Sequence, residues 1–221
     1  INEAVCEGCG DCGEKSSCLS VQPIETEFGR KTAIHQSSCN KDYTCLDGDC
    51  PAFIEVIPAG KTPKKSTVEV MNVDNNLPEP DRIEVGNVLM MGIGGTGVVT
   101  INQLLATAAL LDGKESHGLD QTGLAQKGGP VVSNLKIRWA GAEGDVEEAN
   151  KIGSGEADAY IVFDLLTGTS AANLEKAMPG KTIALVSSSK VPTGAMVRDT
   201  SAKYPEWSTL QATIDSATVP E

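Results

Sequence analysis

Seven cysteines with a spacing typical of iron–sulfur ligands lie near the start of this 221-residue chain. They are Cys6, Cys9, Cys12, Cys18, Cys39, Cys45 and Cys50. Three thiolates spaced three residues apart on a glycine-containing turn can bind three corners of one cubane cluster, and the fourth ligand then comes from elsewhere. Cys50 is followed by Pro51, as the last ligand of such a run often is. The pattern therefore predicts protein-bound clusters.

The two cysteine runs are expected to exchange their fourth ligands, as two-cluster proteins do. One [4Fe–4S] cluster would be held by Cys6, Cys9, Cys12 and Cys50. A second would be held by Cys18, Cys39 and Cys45, with Asp42 where a fourth cysteine would stand. A carboxylate is a harder ligand than a thiolate, so this cluster is either [4Fe–4S] with an aspartate ligand or [3Fe–4S] with that corner empty. Alternatively, Asp42 is an ordinary loop residue and the second run binds no cluster.

Disulfides and structural zinc are the two alternatives for these cysteines. Disulfides use an even number of cysteines and an oxidising compartment, whereas seven is odd. Structural zinc sites use cysteine pairs at wider spacing, and here a third cysteine follows the first pair at once. Iron–sulfur binding is the favoured interpretation, and we expect a cytoplasmic protein.

The formal net charge is −12, which argues against nucleic acid or an anionic membrane as a partner. An acidic surface suits docking to a basic patch on a redox partner, although acidity also simply keeps a protein in solution. The most apolar stretch, around residues 88–100, is interrupted by glycines and is too short to span a membrane.

Three segments follow from composition and periodicity. Residues 1–58 are predicted to form a small α+β ferredoxin-like domain with two clusters, because so short a unit needs metal to stabilise it. Residues 59–82, rich in proline and mixed charge, are predicted to be a linker. Residues 83–221 are predicted to form an α/β Rossmann-like domain with a mostly parallel sheet. We expect the chain to be a segment of a longer polypeptide, with this last domain truncated.

Hydrophobic patterning predicts individual elements within these segments. Strands are expected at 1–5, 21–24, 31–35 and 52–57 in the first, and at 67–70 in the linker. In the third, strands are expected at 83–92, 131–139, 159–164, 182–187 and 191–198, and helices at 98–111, 143–151, 169–178 and 207–217.

A glycine-rich turn joins the first predicted strand of the α/β segment to its first helix. It comprises Gly92, Gly94, Gly95, Thr96 and Gly97. Strand, glycine turn and helix form a unit whose backbone N–H groups can hold a phosphate. The order G-x-G-G-x-G lacks a P-loop lysine, and Asp120 is in a polar, glycine-rich stretch ill suited to NAD ribose. The alternative is that the glycines serve close packing of helix on strand.

Several phrases together resemble one family. CEGCGDC, ETEFGRKT, SSCNKDYTC and GDCP are followed by GIGGTGVVT, QLLATAALLDGK and QTGLAQKGGPVVSNLKI. The combination is similar to the fused bacterial indolepyruvate:ferredoxin oxidoreductases, which belong to the thiamine-diphosphate-dependent 2-oxoacid:ferredoxin oxidoreductases. The resemblance covers nearly the whole chain and implies that residues 84–221 are the gamma-type domain.

The resemblance implies an enzyme that decarboxylates a 2-oxoacid, passes electrons through iron–sulfur clusters to ferredoxin and transfers the acyl group to coenzyme A. No thiamine-diphosphate motif occurs in this sequence, so that cofactor and its Mg are expected on other domains of the chain, in a homo-oligomer. The resemblance points to the Gly92–Gly97 loop and to residues 122–130 for coenzyme A. Lys127 there is expected to pair with a phosphate, or else is an exposed loop lysine.

Two other functional classes stay open. A stand-alone iron–sulfur oxidoreductase would bind NAD or a flavin at the glycine turn. A non-enzymatic assembly module would hold clusters that serve only as structural supports.

Overall fold

The computed structural model describes residues 1–57, 59–60, 85–124, 128–139, 149–199 and 201–219. Almost all of the predicted linker, including its strand at 67–70, lies outside these ranges, as does Lys127. Most of the predicted helix at 143–151 also lies outside them.

The cysteine-bearing segment is built on one short helix and one hairpin. Helix α1 spans Asp11–Ser16, strand β1 Val21–Thr26 and strand β2 Gly29–Ile34, and a 3-10 turn spans Thr44–Leu46. The two strands pair antiparallel with Val21 opposite Ile34, which confirms the predicted hairpin.

Two strands predicted at the ends of this segment are wrong. Residues 3–5 form a turn, and residues 53–57 are irregular. Ile54, Val56 and Ile57 are exposed, so the apolar alternation there packs against no strand within the described ranges. Asn2 N donates to Ala52 O at 2.7 Å, which ties the two ends of the segment together without forming a sheet.

The described residues of the second domain form five strands in one sheet with helices on both faces. Its elements are β3 Val85–Ile93, α2 Val98–Leu111, β4 Lys114–Thr122, β5 Pro130–Trp139, β6 Ala159–Val162, α3 Leu165–Gly168, α4 Ala171–Leu174, β7 Ile183–Val186, α5 Gly194–Arg198 and α6 Trp207–Asp215. The strand order is β4-β5-β3-β6-β7.

The sheet is mixed. Strands β3, β6 and β7 pair in parallel, whereas β5 runs antiparallel to both β3 and β4. The predicted α/β architecture is therefore confirmed at the level of a mixed sheet, with a hairpin on one side of β3 and parallel strands on the other. The strand predicted at 191–198 is wrong, because Thr193 Oγ1 accepts from Met196 N at 3.2 Å and begins α5.

Strand β3 is buried on both faces and organises the core. Leu89 and Met91 pack into one apolar cluster with Ile214 of α6. Met90 packs into another cluster on the opposite face with Val98 of α2. Among the helices in the described ranges, none is both long enough and apolar enough to cross a membrane.

The cysteine-bearing segment packs against the α/β domain at α5. The Arg30 guanidinium of β2 donates to the carbonyls of Ala202, at 3.0 Å, and Met196, at 3.1 Å. Val197 of α5 packs in an apolar cluster with Cys12, Cys18 and Val21. These contacts place Cys12 and Cys18 against α5, which follows β7 in the chain.

Candidate functional site

Four cysteines surround one cavity. The cavity has a volume of about 420 Å³ and is lined by Cys6, Cys9, Cys12 and Cys50 among other residues. Cys6 and Cys12 are buried, Cys50 is partly buried and Cys9 is exposed. Gly8 N donates to Cys6 Sγ at 3.4 Å, the kind of contact that a cluster ligand receives. The structure thus brings together the four residues assigned to the first cluster.

The charges that act on Cys12 come from the same four-cysteine set. Burial raises the pKa of the Cys12 thiol, and Coulomb repulsion from Cys6, Cys50 and Cys9 raises it further. Four thiolates held this close repel one another in a partly desolvated site. Bound iron cations would offset this repulsion and the desolvation, so the donor set fits an iron–sulfur cluster.

The second set is also brought together. Burial raises the pKa of the Cys45 thiol, and the charges of Cys18, Cys39 and Asp42 raise it further. Asp42 Oδ1 accepts from Thr44 N at 3.3 Å and from Thr44 Oγ1 at 3.1 Å. The carboxylate therefore stabilises a local turn while it lies beside the cysteines, so both interpretations of Asp42 retain a structural basis.

All seven cysteines are free thiols in this structure. Within the described ranges, no group of three or more histidine, cysteine, aspartate or glutamate side chains is arranged to hold a single metal ion. A cubane differs from a single ion because each of its four irons takes its own ligand, so the sulfurs stand apart around the cluster. Cluster ligation by these residues stays a prediction.

The two cysteine sets meet in one apolar cluster. Cys12 of the first set packs there with Cys18 and Cys45 of the second, and Phe53 packs against it. Helix α1, which begins beside Cys12, and the loop to Cys18 form this connection. The two candidate cluster sites are therefore neighbours.

The glycine loop forms the turn from β3 to α2. Gly95 and Gly97 have φ values of +97° and +85°, which favour glycine. Gly94 N donates to Gly129 O at 2.8 Å and Thr96 N to Ile93 O at 3.1 Å, so two loop N–H groups already have acceptors. Gly95 N, Gly97 N and the first turn of α2 make no such backbone contact in the described part of the chain and are the donors that could receive an anion.

Gly92 has a packing role instead. A Cβ at this position would lie 2.6 Å from Thr96 Oγ1, 2.9 Å from Phe163 Cβ and 2.9 Å from Val98 Cγ2. The packing alternative considered from the sequence therefore describes Gly92, whereas Gly95 and Gly97 are required by backbone conformation.

Gly92→Ala is expected to destabilise the protein by about 1–3 kcal/mol, because the added methyl group overpacks the junction of β3 and α2. Gly86→Ala on the same strand is the control, since its Cβ would meet no atom of the described residues within 4 Å. Urea unfolding of both variants measures the difference. Equal stability of the two variants would contradict the packing role.

A second cavity, of about 540 Å³, lies between the glycine loop and the cysteine-bearing segment. Its lining includes Gly94, Gly95 and Thr96 of the glycine loop and Cys18, Leu19, Ser20, His35, Ser37 and Ser38 of the cysteine-bearing segment. Gly128 and Lys190 also line it. Gly94 and Gly128 bring the two segments implied for coenzyme A side by side. Sequence reasoning missed Lys190, which lies in a loop without a recognisable motif.

Asp120 is not next to the glycine loop. It lies on β4, and β5 separates β4 from β3. Its Oδ1 accepts from Asn102 Nδ2 at 2.8 Å and from Ser133 Oγ, so the carboxylate links α2 to the sheet. The acid that an NAD-binding unit places on the neighbouring strand is therefore not supplied by Asp120.

Comparison with known proteins gives a family match and one related sequence. The family model described as "Pyruvate ferredoxin/flavodoxin oxidoreductase" matches residues 87–218, more than half of the chain. The indolepyruvate oxidoreductase subunit IorB of Archaeoglobus fulgidus is 31% identical over 120 residues, which cover 54% of each chain. The chain thus spans about half the length of that relative.

Solved structures show weaker likeness. Pyruvate oxidoreductase subunit PORC of Thermotoga maritima is 19% identical with a TM-score of 0.40, covering 60% of this chain and 58% of that one. The 2-oxoglutarate:ferredoxin oxidoreductase of Magnetococcus marinus, with 2-oxoglutarate, coenzyme A and succinyl-CoA bound, is 18% identical with a TM-score of 0.36, covering 47% and 16%. The gamma subunit of a keto/oxoacid ferredoxin oxidoreductase from Geobacter sulfurreducens is 18% identical with a TM-score of 0.32, covering 46% and 51%.

Proposed function

Because the chain belongs to the pyruvate ferredoxin/flavodoxin oxidoreductase family, we propose that it is the electron-carrying part of a 2-oxoacid:ferredoxin oxidoreductase. The likeness to an indolepyruvate oxidoreductase subunit supports an indolepyruvate-type substrate. The observation that carries the electron-carrying role is the contact between the two cysteine sets, in which Cys12 packs with Cys18 and Cys45.

The proposed ligands are the two sets of side chains assigned from the sequence. When bound, iron–sulfur clusters supply one-electron carriers that side chains cannot provide. The chain's own residues hold and shield them: Cys12 and Cys18 are buried, and Gly8 N donates to Cys6 Sγ. Hydrogen bonds to ligand sulfur and exclusion of water are among the features that set a cluster's potential.

The α/β domain is proposed to be the gamma-type domain, fused here to a two-cluster ferredoxin-like segment. Thiamine diphosphate and Mg are proposed to lie on other domains of the enzyme, where they supply the electron sink for decarboxylation. Ferredoxin is the proposed acceptor, and a homo-oligomer is the proposed assembly. The glycine loop is proposed to bind a phosphate-bearing co-substrate, coenzyme A.

Calorimetry with coenzyme A and with NADH tests this role of the glycine loop. We expect coenzyme A to bind the anaerobically reconstituted protein at least ten times more tightly than NADH, because Asp120 is a full strand away from the position that contacts ribose in NAD-binding folds. Tight binding of NADH without any response to coenzyme A would instead favour a stand-alone reductase.

A further inference from the structure

We infer that the cavity between the glycine loop and the cysteine-bearing segment is the phosphate site, and that Lys190 is the cation that pairs with the bound phosphate. The inference rests on the proposed binding role of the glycine loop. It adds the pairing residue, and it adds that the cysteine-bearing segment forms one wall of the same site.

The charge of the lining points to an anionic ligand. The protein carries a formal net charge of −12, yet none of the described residues that line this cavity is an aspartate or a glutamate. Lys190 is among them, and its side chain forms no ion pair with a carboxylate in the described residues. An acidic protein that keeps carboxylates out of one cavity and places a lysine there has a local potential suited to phosphate.

The ammonium group of Lys190 lies near the ring of Tyr204. Its Nζ lies 6.0 Å from the centroid of the Tyr204 ring, at the outer limit of a cation–π contact. Such a contact is weak, so the ammonium group can turn from the ring to a bound phosphate at little cost. Lysine binds phosphate as a mobile point charge, as it does at other glycine-rich loops.

Hydrogen-bonding groups line both walls. The glycine loop contributes Gly95, whose N–H donates no backbone hydrogen bond within the described residues. The opposite wall carries hydroxyl groups that form one hydrogen-bonded chain: Ser20 Oγ lies 2.9 Å from Ser38 Oγ, and Ser38 Oγ lies 2.9 Å from His35 Nδ1. Backbone amides and hydroxyl groups around one lysine are the donors that phosphate esters accept from.

The volume sets the ligand class. At about 540 Å³ the cavity lies within the range of small-molecule sites and is much larger than a single phosphate requires. We therefore assign it a diphosphate ester, with the diphosphate at the glycine loop and Lys190. Cys18 lines the same cavity, so the bound ligand would lie directly beside the second candidate cluster site.

Calorimetry with inorganic diphosphate and with coenzyme A tests the assignment on the full, anaerobically reconstituted chain. Lys190→Met is expected to weaken binding of both probes at least tenfold, because it removes a charge-assisted contact. Lys203→Met is the matched control, since Lys203 is also exposed but does not line the cavity. The affinity of this variant for both probes should stay within twofold of that of the wild type.

A second pair of variants tests the wall from the cysteine-bearing segment. Ser37→Trp places a large side chain in the cavity and should abolish binding of both probes. Gln36→Trp should leave it unchanged, because Gln36 is the exposed neighbour that does not line the cavity. Both changes are at exposed positions, so neither should prevent folding, which circular dichroism and iron content would confirm.

The outcomes separate this inference from the proposed function. If the wild type binds coenzyme A but Lys190→Met and Ser37→Trp bind it equally well, the cavity assignment is wrong and the glycine-loop proposal survives. If Lys203→Met binds the probes as weakly as Lys190→Met, the loss of affinity reflects the overall charge of the protein, and the pairing role of Lys190 is overturned. If the wild type binds neither probe, the glycine-loop proposal itself fails.

Discussion

Anaerobically reconstituted protein is expected to bind about eight irons per chain, or about seven if the second cluster is [3Fe–4S]. Cys12→Ser should lower this to about four or fewer, because it removes a buried ligand of the first set. Cys50→Ser should cause the same loss, although Cys50 is far from Cys12 in sequence, since both line one cavity. Iron and sulfide analysis with electron paramagnetic resonance measures the result.

Cys45→Ser is the informative comparison within this prediction. It should remove the signal of the other cluster, because Cys45 neighbours Cys18 and Cys39. If Cys50→Ser instead resembled Cys45→Ser, the exchange of fourth ligands between the runs would be wrong. About four irons in the unmodified protein would show that it binds only one cluster. About one zinc ion instead would show that it binds neither iron–sulfur cluster.

The Asp42 corner has its own control. Asp42→Cys should convert any three-iron signal into a four-iron signal, because a thiolate would then stand at the open corner. Asp47→Cys adds a cysteine at another exposed position of the same loop and should leave the signal unchanged. A three-iron signal that persists in Asp42→Cys would assign Asp42 to the turn with Thr44 alone.

Periodicity predicted the elements whose side chains enter a core. Helix α2 was expected at 98–111 and is observed at Val98–Leu111, and β6 and β7 lie within their predicted ranges. Strand β4 was missed, because KESHGLDQT has no apolar alternation and, among the described strands, pairs only with β5. The opposite error was made at 52–57, where apolar residues alternate but no strand of the described part of the chain lies beside them to accept hydrogen bonds.

The candidate site shows the same division. Cysteine spacing predicted two sets of side chains, and the structure places the same side chains near Cys12 and near Cys45. This was possible because most ligands of each set are close together in sequence. The second cavity could not be predicted in this way. Ser37, Gly95 and Lys190 are far apart in the chain, and their meeting depends on the packing of the cysteine-bearing segment against α5. A local signal did exist for α5, since Thr193 is a good N-cap residue.

Dithionite-reduced, cluster-loaded protein is expected to reduce a ferredoxin, whereas Cys12→Ser should deliver fewer electrons per chain and transfer them more slowly. The reason is that the candidate cluster sites are neighbours through Cys12, Cys18 and Cys45, so losing one cluster interrupts the relay. Stopped-flow absorbance of the ferredoxin measures the rate.

The rate of electron transfer to the ferredoxin should fall as salt is added. A chain of net charge −12 attracts a basic patch on its partner, and dissolved salt screens that attraction.

The same preparation should release no carbon dioxide from indolepyruvate, even with thiamine diphosphate, Mg and coenzyme A present. Decarboxylation of a 2-oxoacid needs an electron sink for the carbanion, and no side chain of this sequence provides one. Radiolabelled substrate detects the product, and the intact enzyme is the positive control. Release of carbon dioxide by this chain alone would contradict the division of labour, because the carbon chemistry would then take place on the residues proposed here to carry only electrons and a phosphate-bearing co-substrate.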